Sequence, residues 1–260
     1  MRNTTTIAIV LFLATFLVTV GPAHGQMILS DEFVSETWLS GSYSFQDVEA
    51  SPGGVWDNGV YVMDPSTKTI LHVTGPDQYS VFSSGLSDGK GAIEFGEQGS
   101  PYEDFMYVSD LPLSANPDYV RRIDALGHTT TIEIANGLIR GMEVDANGTV
   151  WILDSVQDGM RLVDAQGHTT FFGSGYPGND AQDDMEASPG GAWANGWYMT
   201  DAFGSKIYHM SLSGTTTPFT SGQSGIAIAF GDDGAFGDYL YLGTGVGEIY
   251  RYDSTGAGEL

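Results

Sequence analysis

The sequence contains no cysteine, so it can build no disulfide, no thiolate nucleophile and no thiolate metal site. Basic residues are scarce: 9 Lys and Arg stand against 33 Asp and Glu, a formal net charge of −24. So acidic a surface repels phosphate backbones, which excludes nucleic acid as a partner, and it attracts cations. Beyond the N-terminus no apolar run approaches the roughly 20 residues that cross a bilayer as a helix. Amphipathic helical periodicity is missing as well, so a helical fold is excluded. What the chain does have is 41% hydrophobic and 12% aromatic residues, ample material for a core and unlike an acidic disordered sequence.

The one long apolar run covers residues 7–20, within "MRNTTTIAIVLFLATFLVTVGPAHG". Arg2 precedes it, and Ala23 and Gly25 end it with small residues at the −3 and −1 positions of a cleavage site. These are the three parts of a secretory signal. Residues 1–25 are read as a signal peptide. Residues 26–260 form a single domain with no membrane span, expected to be a secreted monomer, extracellular or periplasmic.

That domain repeats itself. "VEASPGGVWDNGVYVMDPSTKTILHV" (48–73) returns 137 residues later as "MEASPGGAWANGWYMTDAFGSKIYHM" (185–210), with 13 of 26 positions identical and no gap. Weaker copies fill the rest. One recurring run reads "VYVMD" (60–64), "FMYVSD" (105–110), "VWILD" (150–154), "WYMTD" (197–201) and "YLYLGT" (239–244). A second reads "ILHVTG" from 70, "VRRIDALG" from 120, "MRLVDAQG" from 160, "IYHMSLSG" from 207 and "IYRYDSTG" from 249, with starts separated by 50, 40, 47 and 42 residues. The runs are rich in Val, Ile, Tyr, Phe, Trp and Thr and lie between Gly, Asn, Asp and Pro turns, the pattern of antiparallel strands. "DNG", "ANG" and "DDG" supply turn residues between the first two strands.

Four strands every 40 to 50 residues is a β-propeller blade. A β-sandwich would not produce this spacing. The fold class is therefore all-β: a propeller of four-stranded antiparallel blades, five of them visible. A six-bladed protein whose sequence stops early is the alternative. The last blade, Ile226–Asp253, shows three strands, and "DEFVSETWLSG" (Asp31–Gly41) is expected to supply its fourth and close the ring. Trp56 and Trp193 are expected to wedge between sheets, and the Pro-Gly-Gly segments to let backbones approach near the axis.

Several motifs invite a chemical reading and fail it. "GLSDG" (85–89) matches G-x-S-x-G, but no helix follows to make a nucleophile elbow. "GTGVGE" (243–248) is flanked by strands and lacks the dinucleotide-binding context. His72 and His209 occupy equivalent positions, as do His128 and His168 in "GHTT", which fits duplicated structural roles better than a general base. The acidic loops "GNDAQDDME" (178–186) and "FGDDGAFGD" (230–238) lack EF-hand spacing and read as solvated turns or loose surface Ca²⁺ sites. Trp38, Tyr43 and Tyr176 are too scattered to form a sugar platform.

"RGMEVDANGTVWILDSVQDGMRLVDAQG" (140–167), "FGDYLYLGTGVGEIYRYDSTG" (236–256) and "PGGAWANGWYMTD" (189–201) resemble the repeats of the NHL and gluconolactonase-type propellers, a superfamily that includes senescence-marker proteins and virginiamycin B lyase. That resemblance implies a propeller fold with a divalent cation, usually Ca²⁺, on its axis, held by oxygen ligands. The matching positions are Glu49, Asn136 and Glu186. Where the family often has Asp ahead of "GM.VD", this chain has Arg140, which either holds a substrate anion or argues against a cation there. Lactonases, lyases and binding modules share the fold. The expected function is a secreted binding module recognising a small molecule, glycan or protein on one face of the ring. The alternative is a metal-dependent lactone or ester hydrolase or lyase.

Overall fold

A computed structural model of the chain describes residue 39 and residues 47–87, 91–110, 118–134, 139–154, 158–177, 183–231, 237–245 and 248–259. The described residues form five four-stranded antiparallel sheets, each a run of four consecutive strands in meander order. The first blade comprises β1 (Asp47–Ala50), β2 (Val60–Asp64), β3 (Thr69–Gly75) and β4 (Gln78–Ser84). The second comprises β5 (Ile93–Phe95), β6 (Phe105–Asp110), β7 (Asp118–Asp124) and β8 (Thr129–Ile134). The third has β9 (Ile139–Val144), β10 (Val150–Asp154), β11 (Gly159–Val163) and β12 (Thr169–Phe172), and the fourth β13 (Met185–Ala187), β14 (Gly196–Asp201), β15 (Lys206–Ser211) and β16 (Thr216–Ser221). The fifth has β17 (Gly225–Phe230), β18 (Leu240–Thr244), β19 (Ile249–Tyr252) and β20 (Gly258–Glu259). Among the described residues no helix is long and apolar enough to cross a membrane. The protein is a five-bladed propeller.

Burial explains why the second strand of each blade carries the strongest repeat signal. β2 and β14 are buried at every position, because both faces are covered, in β2 by the second blade on one side and by Leu39 on the other, and the polar alternation of a half-exposed strand is lost. The outer strands β4 and β16 are mostly exposed and read as polar, Ser- and Thr-rich runs. The acid that closes the second strand satisfies its own blade. Asp64 accepts from Ser66 and Thr67, Asp201 accepts from the Gly204 amide, and Asp110 and Asp154 pair with Arg121 and Arg161 at 2.6 and 2.7 Å.

Apolar clusters between successive blades form the core. One joins blades one and two, a second joins two and three, a third joins three and four, and a fourth joins four and five. Trp56 and Trp193 sit in equivalent clusters, each between its own blade and the next. Trp56 lies 4.8 Å from Phe95 and 5.7 Å from Tyr61 and Phe82. Trp193 lies 4.8 Å from Phe230, 5.4 Å from Tyr198 and 5.8 Å from Phe219. Each indole N–H donates into the following blade, to the Glu103 carbonyl at 3.0 Å and to Asp238.

Two details differ from expectation. β20 takes the fourth place of the last blade: Arg251 pairs with Glu259 and Tyr252 with Gly258. The reversal is tight because Asp253 accepts the amides of Thr255 and Ala257, so two residues suffice to complete the sheet. Of Asp31–Gly41, only Leu39 is among the described residues. It packs on the first blade, beside Val60, Val62, Leu71 and Val73. Among the described residues no apolar cluster joins blade five to blade one.

The second detail concerns glycine. A Cβ on Gly53, Gly54 or Gly191 would meet nothing within 4 Å, so the Pro-Gly-Gly segments serve left-handed turns, with φ of +82° and +72° in the first copy. Close approach occurs instead at Gly59 and Gly196, where a Cβ would lie 2.3 and 2.0 Å from the Val73 and Met210 carbonyl oxygens.

Candidate functional site

The innermost strand of each blade is an edge strand, with amides that no fifth strand satisfies. Carboxylates of the neighbouring blade meet part of that need. Asp47 Oδ2 accepts from the Ile93 amide of the next blade at 2.6 Å. Glu143 Oε1 accepts from Ala187 at 2.8 Å, and Asp184 Oδ2 accepts from Ile228 at 3.0 Å. The acids stitch adjacent blades together beside the axis.

Register makes the arrangement regular. Glu49 lies opposite Tyr61 and Glu94 opposite Tyr107. Glu143 lies opposite Trp151 and Glu186 opposite Tyr198. The corresponding residue of the fifth blade is Ala229, opposite Tyr241. Four of five blades therefore place a glutamate on the same rung. Asp47 and Asp184 stand two residues before Glu49 and Glu186 and double the acid in blades one and four.

These six residues are half-buried. Burial pushes Glu49, Glu94 and Glu186 well above the usual carboxylate range, and the neighbouring acids push them further. Glu143 is raised to about 7, chiefly by burial, with the Ala187 amide working against the shift. Asp184 rises to about 8 and Asp47 to about 6, again mainly through burial and again opposed by the amides they accept from. Crowded anions in a low-dielectric channel cannot all ionise, so the ring retains protons at neutral pH.

The carboxylates do not fit a resident metal. Among the described residues no group of three or more His, Asp or Glu side chains is placed to hold an ion, and three of the axial acids already accept from backbone amides. Of the expected ligands, Glu49 and Glu186 do share a rung and influence each other electrostatically. Asn136 lies outside the described residues. Arg140 lies on β9, three residues before Glu143, with a side chain outside the description.

A cleft of 680 Å³ opens against part of this ring, between blades two, three and four. Glu94 and Glu143 line it beside Trp151, Phe172 and Trp197, and Leu212 stands at 63% exposure along it. The Trp151 and Trp197 ring centroids are 4.2 Å apart with the planes tilted by 34°. Phe172 meets Trp151 edge-on at 5.3 Å. The Trp151 indole N–H is held by Asp145 at 3.1 Å, which fixes the ring. No Lys, Arg or His is among the described residues lining the cleft. A volume of this size with an aromatic wall and a few polar groups is what a small ligand or a protruding side chain requires.

The other candidates have structural tasks. His72 and His209 lie against Tyr61 and Tyr198 and contact the Asn58 and Asn195 carbonyls at 3.3 and 3.1 Å. His128 and His168 are exposed and bound by Asp124 and Asp164 four residues earlier. Ser87 of "GLSDG" is held by the Asp110–Arg121 pair. Tyr176 is fully buried, donating to the Thr200 carbonyl at 2.6 Å. Trp38 and Tyr43 lie outside the described residues.

Sequence reasoning passed over Asp47, Glu94 and Glu143 and read Asp184 as part of a solvated acidic loop, whereas its carboxylate accepts from the next blade's Ile228 amide. A signal was there. The long duplication extends one residue further towards the N-terminus, to Asp47 and Asp184, and "VEA", "IEF", "MEV" and "MEA" set the same glutamate between apolar neighbours.

No known family pattern matches the chain, and no curated protein matches it. Solved structures do. The chain is similar to virginiamycin B lyase from Staphylococcus aureus, with 15% identity and a TM-score of 0.59, over 83% of this chain and 68% of the lyase. It is similar to a structure of the nidogen–laminin complex, with 13% identity and a TM-score of 0.61, over 84% and 79%. A gluconolactonase-like protein matches with 14% identity and a TM-score of 0.57, over 77% and 72%. At such identities the likeness is one of fold.

Proposed function

We propose that this chain is an exported propeller-type binding module that takes its ligand in the cleft between blades two, three and four. The observation that carries this reading is the Trp151–Trp197 pair standing beside Glu94 and Glu143 in a 680 Å³ cleft. The half-buried Trp151, backed by the buried Trp197, gives a ligand apolar contact area at small entropic cost, and the carboxyls give it direction. Propellers of similar fold include one solved with a bound peptide and one solved in a protein complex. Arg140, the single basic residue on the five inner strands, is proposed as a further contact near the ring. The strongly acidic composition disfavours nucleic acid as the ligand.

The competing reading, a Ca²⁺-dependent lactone or ester hydrolase or lyase using Glu49, Asn136 and Glu186, draws support from the lyase and the gluconolactonase-like protein of similar fold. It is disfavoured because among the described residues no group of three or more His, Asp or Glu side chains is placed to hold an ion. A fragment screen by ligand-observed NMR on the protein treated with chelator separates the two. The binding reading predicts hits that Trp151→Ala abolishes, and a melting temperature indifferent to added Ca²⁺. Turnover of a lactone panel that appears only with Ca²⁺ would establish the competitor.

A further inference from the structure

We propose that the group this cleft accepts is an organic cation, an alkylammonium or guanidinium, carried by a small molecule or by a basic side chain of a polypeptide. The inference rests on the cleft being a binding site and adds the charge of what enters it.

Three independent features point the same way. The first is the wall. The half-buried Trp151 and Phe172, with the buried Trp197 packed against them, line one side of the space, and the negative face of an indole attracts a cation while still contacting its alkyl stem. The second is the polar complement. Glu94, Glu97, Glu143 and Asp145 line the cleft, and no basic side chain is among its described residues. Of these, Asp145 is engaged by the Trp151 indole and the Asn147 and Thr149 amides, whereas Glu94 and Glu143 each accept one amide at Oε1, so a ligand would meet them at Oε2. The third is the surrounding charge, 33 acids against 9 bases, which concentrates cations and repels anions at any opening.

Burial and mutual repulsion favour the protonated form of the ring's acids. Glu97 raises Glu143 electrostatically, Glu143 in turn raises Glu94, Glu49, Glu186 and Asp184, and Glu143 accepts one amide. An entering cation supplies the missing opposite charge, so the glutamate ionises and its proton leaves for the solvent. Cation binding and proton release are thus linked in this site. An acidic patch in open water would bind the same cation without releasing a proton, because its carboxylates are already ionised at pH 7.

The test uses the whole chain and five probes: N-acetyl-lysine methylamide, its norleucine counterpart with the same stem and no charge, butylammonium, a lysine-containing pentapeptide, and a neutral aromatic fragment. Binding is read by tryptophan fluorescence, and proton release by calorimetry at pH 7 in two buffers of different ionisation enthalpy. The lysine probe should saturate, bind at least tenfold more tightly than the norleucine probe, and release protons. Glu143→Gln should weaken it at least tenfold, and Trp151→Leu should do the same if Glu143→Gln proves misfolded by circular dichroism. Equal affinity for butylammonium and the pentapeptide marks a small-molecule source for the cation, and a tenfold preference for the pentapeptide marks a polypeptide. Norleucine or the aromatic fragment binding as well as lysine would overturn the cation inference and leave the cleft a binding site. Silence from every probe would overturn both. Lysine binding undiminished in both variants places the cation elsewhere and also refutes the inference.

Discussion

Single residues decide both the turns and the charge state of the axis. Gly59 just before β2 and Gly196 at the start of β14 have φ of +141° and +137°, against carbonyl oxygens that leave no room for a side chain. Gly59→Ala should therefore cost about 3 kcal/mol or more, combining backbone strain with a clash. Gly53→Ala faces open space and should cost only the left-handed penalty, about 1–2 kcal/mol. Urea unfolding of the two variants measures the difference, and equal losses would refute it. The axial acids give stability a pH dependence of definite sign. Their folded pKa values are raised, to about 6 for Asp47, 7 for Glu143 and 8 for Asp184. Between the ordinary carboxylate range and those values the folded state binds more protons than the unfolded one. Stability should thus fall as pH rises from about 4 to about 8 and level off above. The urea midpoint at pH 5, 7 and 9 tests this, and Glu143→Gln should flatten the slope. A midpoint that rises with pH contradicts the raised values.

Elements show what a sequence can and cannot disclose. The five second strands were legible because burial on both faces writes them as apolar runs with Tyr or Trp at a fixed rung. The indole wedges were legible because Trp56 and Trp193 recur with their whole surroundings. Their equivalence is testable. Each Trp→Ala change should cost about 3–5 kcal/mol, and because the clusters share no residue the double variant should lose the sum. A clear departure from additivity in chemical denaturation would mean that the two blade interfaces are coupled. β20 was not legible, since two residues after an Asp-centred turn carry no periodicity. The Pro-Gly-Gly segments were misjudged for a related reason: glycine marks both positive φ and close approach, and only neighbouring atoms tell them apart. Asp47 escaped notice and Asp184 read as a loop acid because an acid before an inner strand looks like a turn residue until its oxygen is found on the next blade's amide.

The whole molecule joins blades with nearly interchangeable parts, and its individuality lies where they differ. Ala229 interrupts the glutamate rung in blade five, and Trp151 and Trp197 face each other only between blades three and four. The propeller could be read from spacing, whereas the cleft could not, because its lining comes from three blades far apart in sequence. The most direct test of the central claim is a two-dimensional NMR titration of the ¹⁵N-labelled indoles with N-acetyl-lysine methylamide. The Trp151 and Trp197 signals should move together and saturate while those of Trp56 and Trp193, which do not line the cleft, hold still. Shifts confined to any other tryptophan, with Trp151 and Trp197 unmoved, would show that the ligand is taken somewhere else.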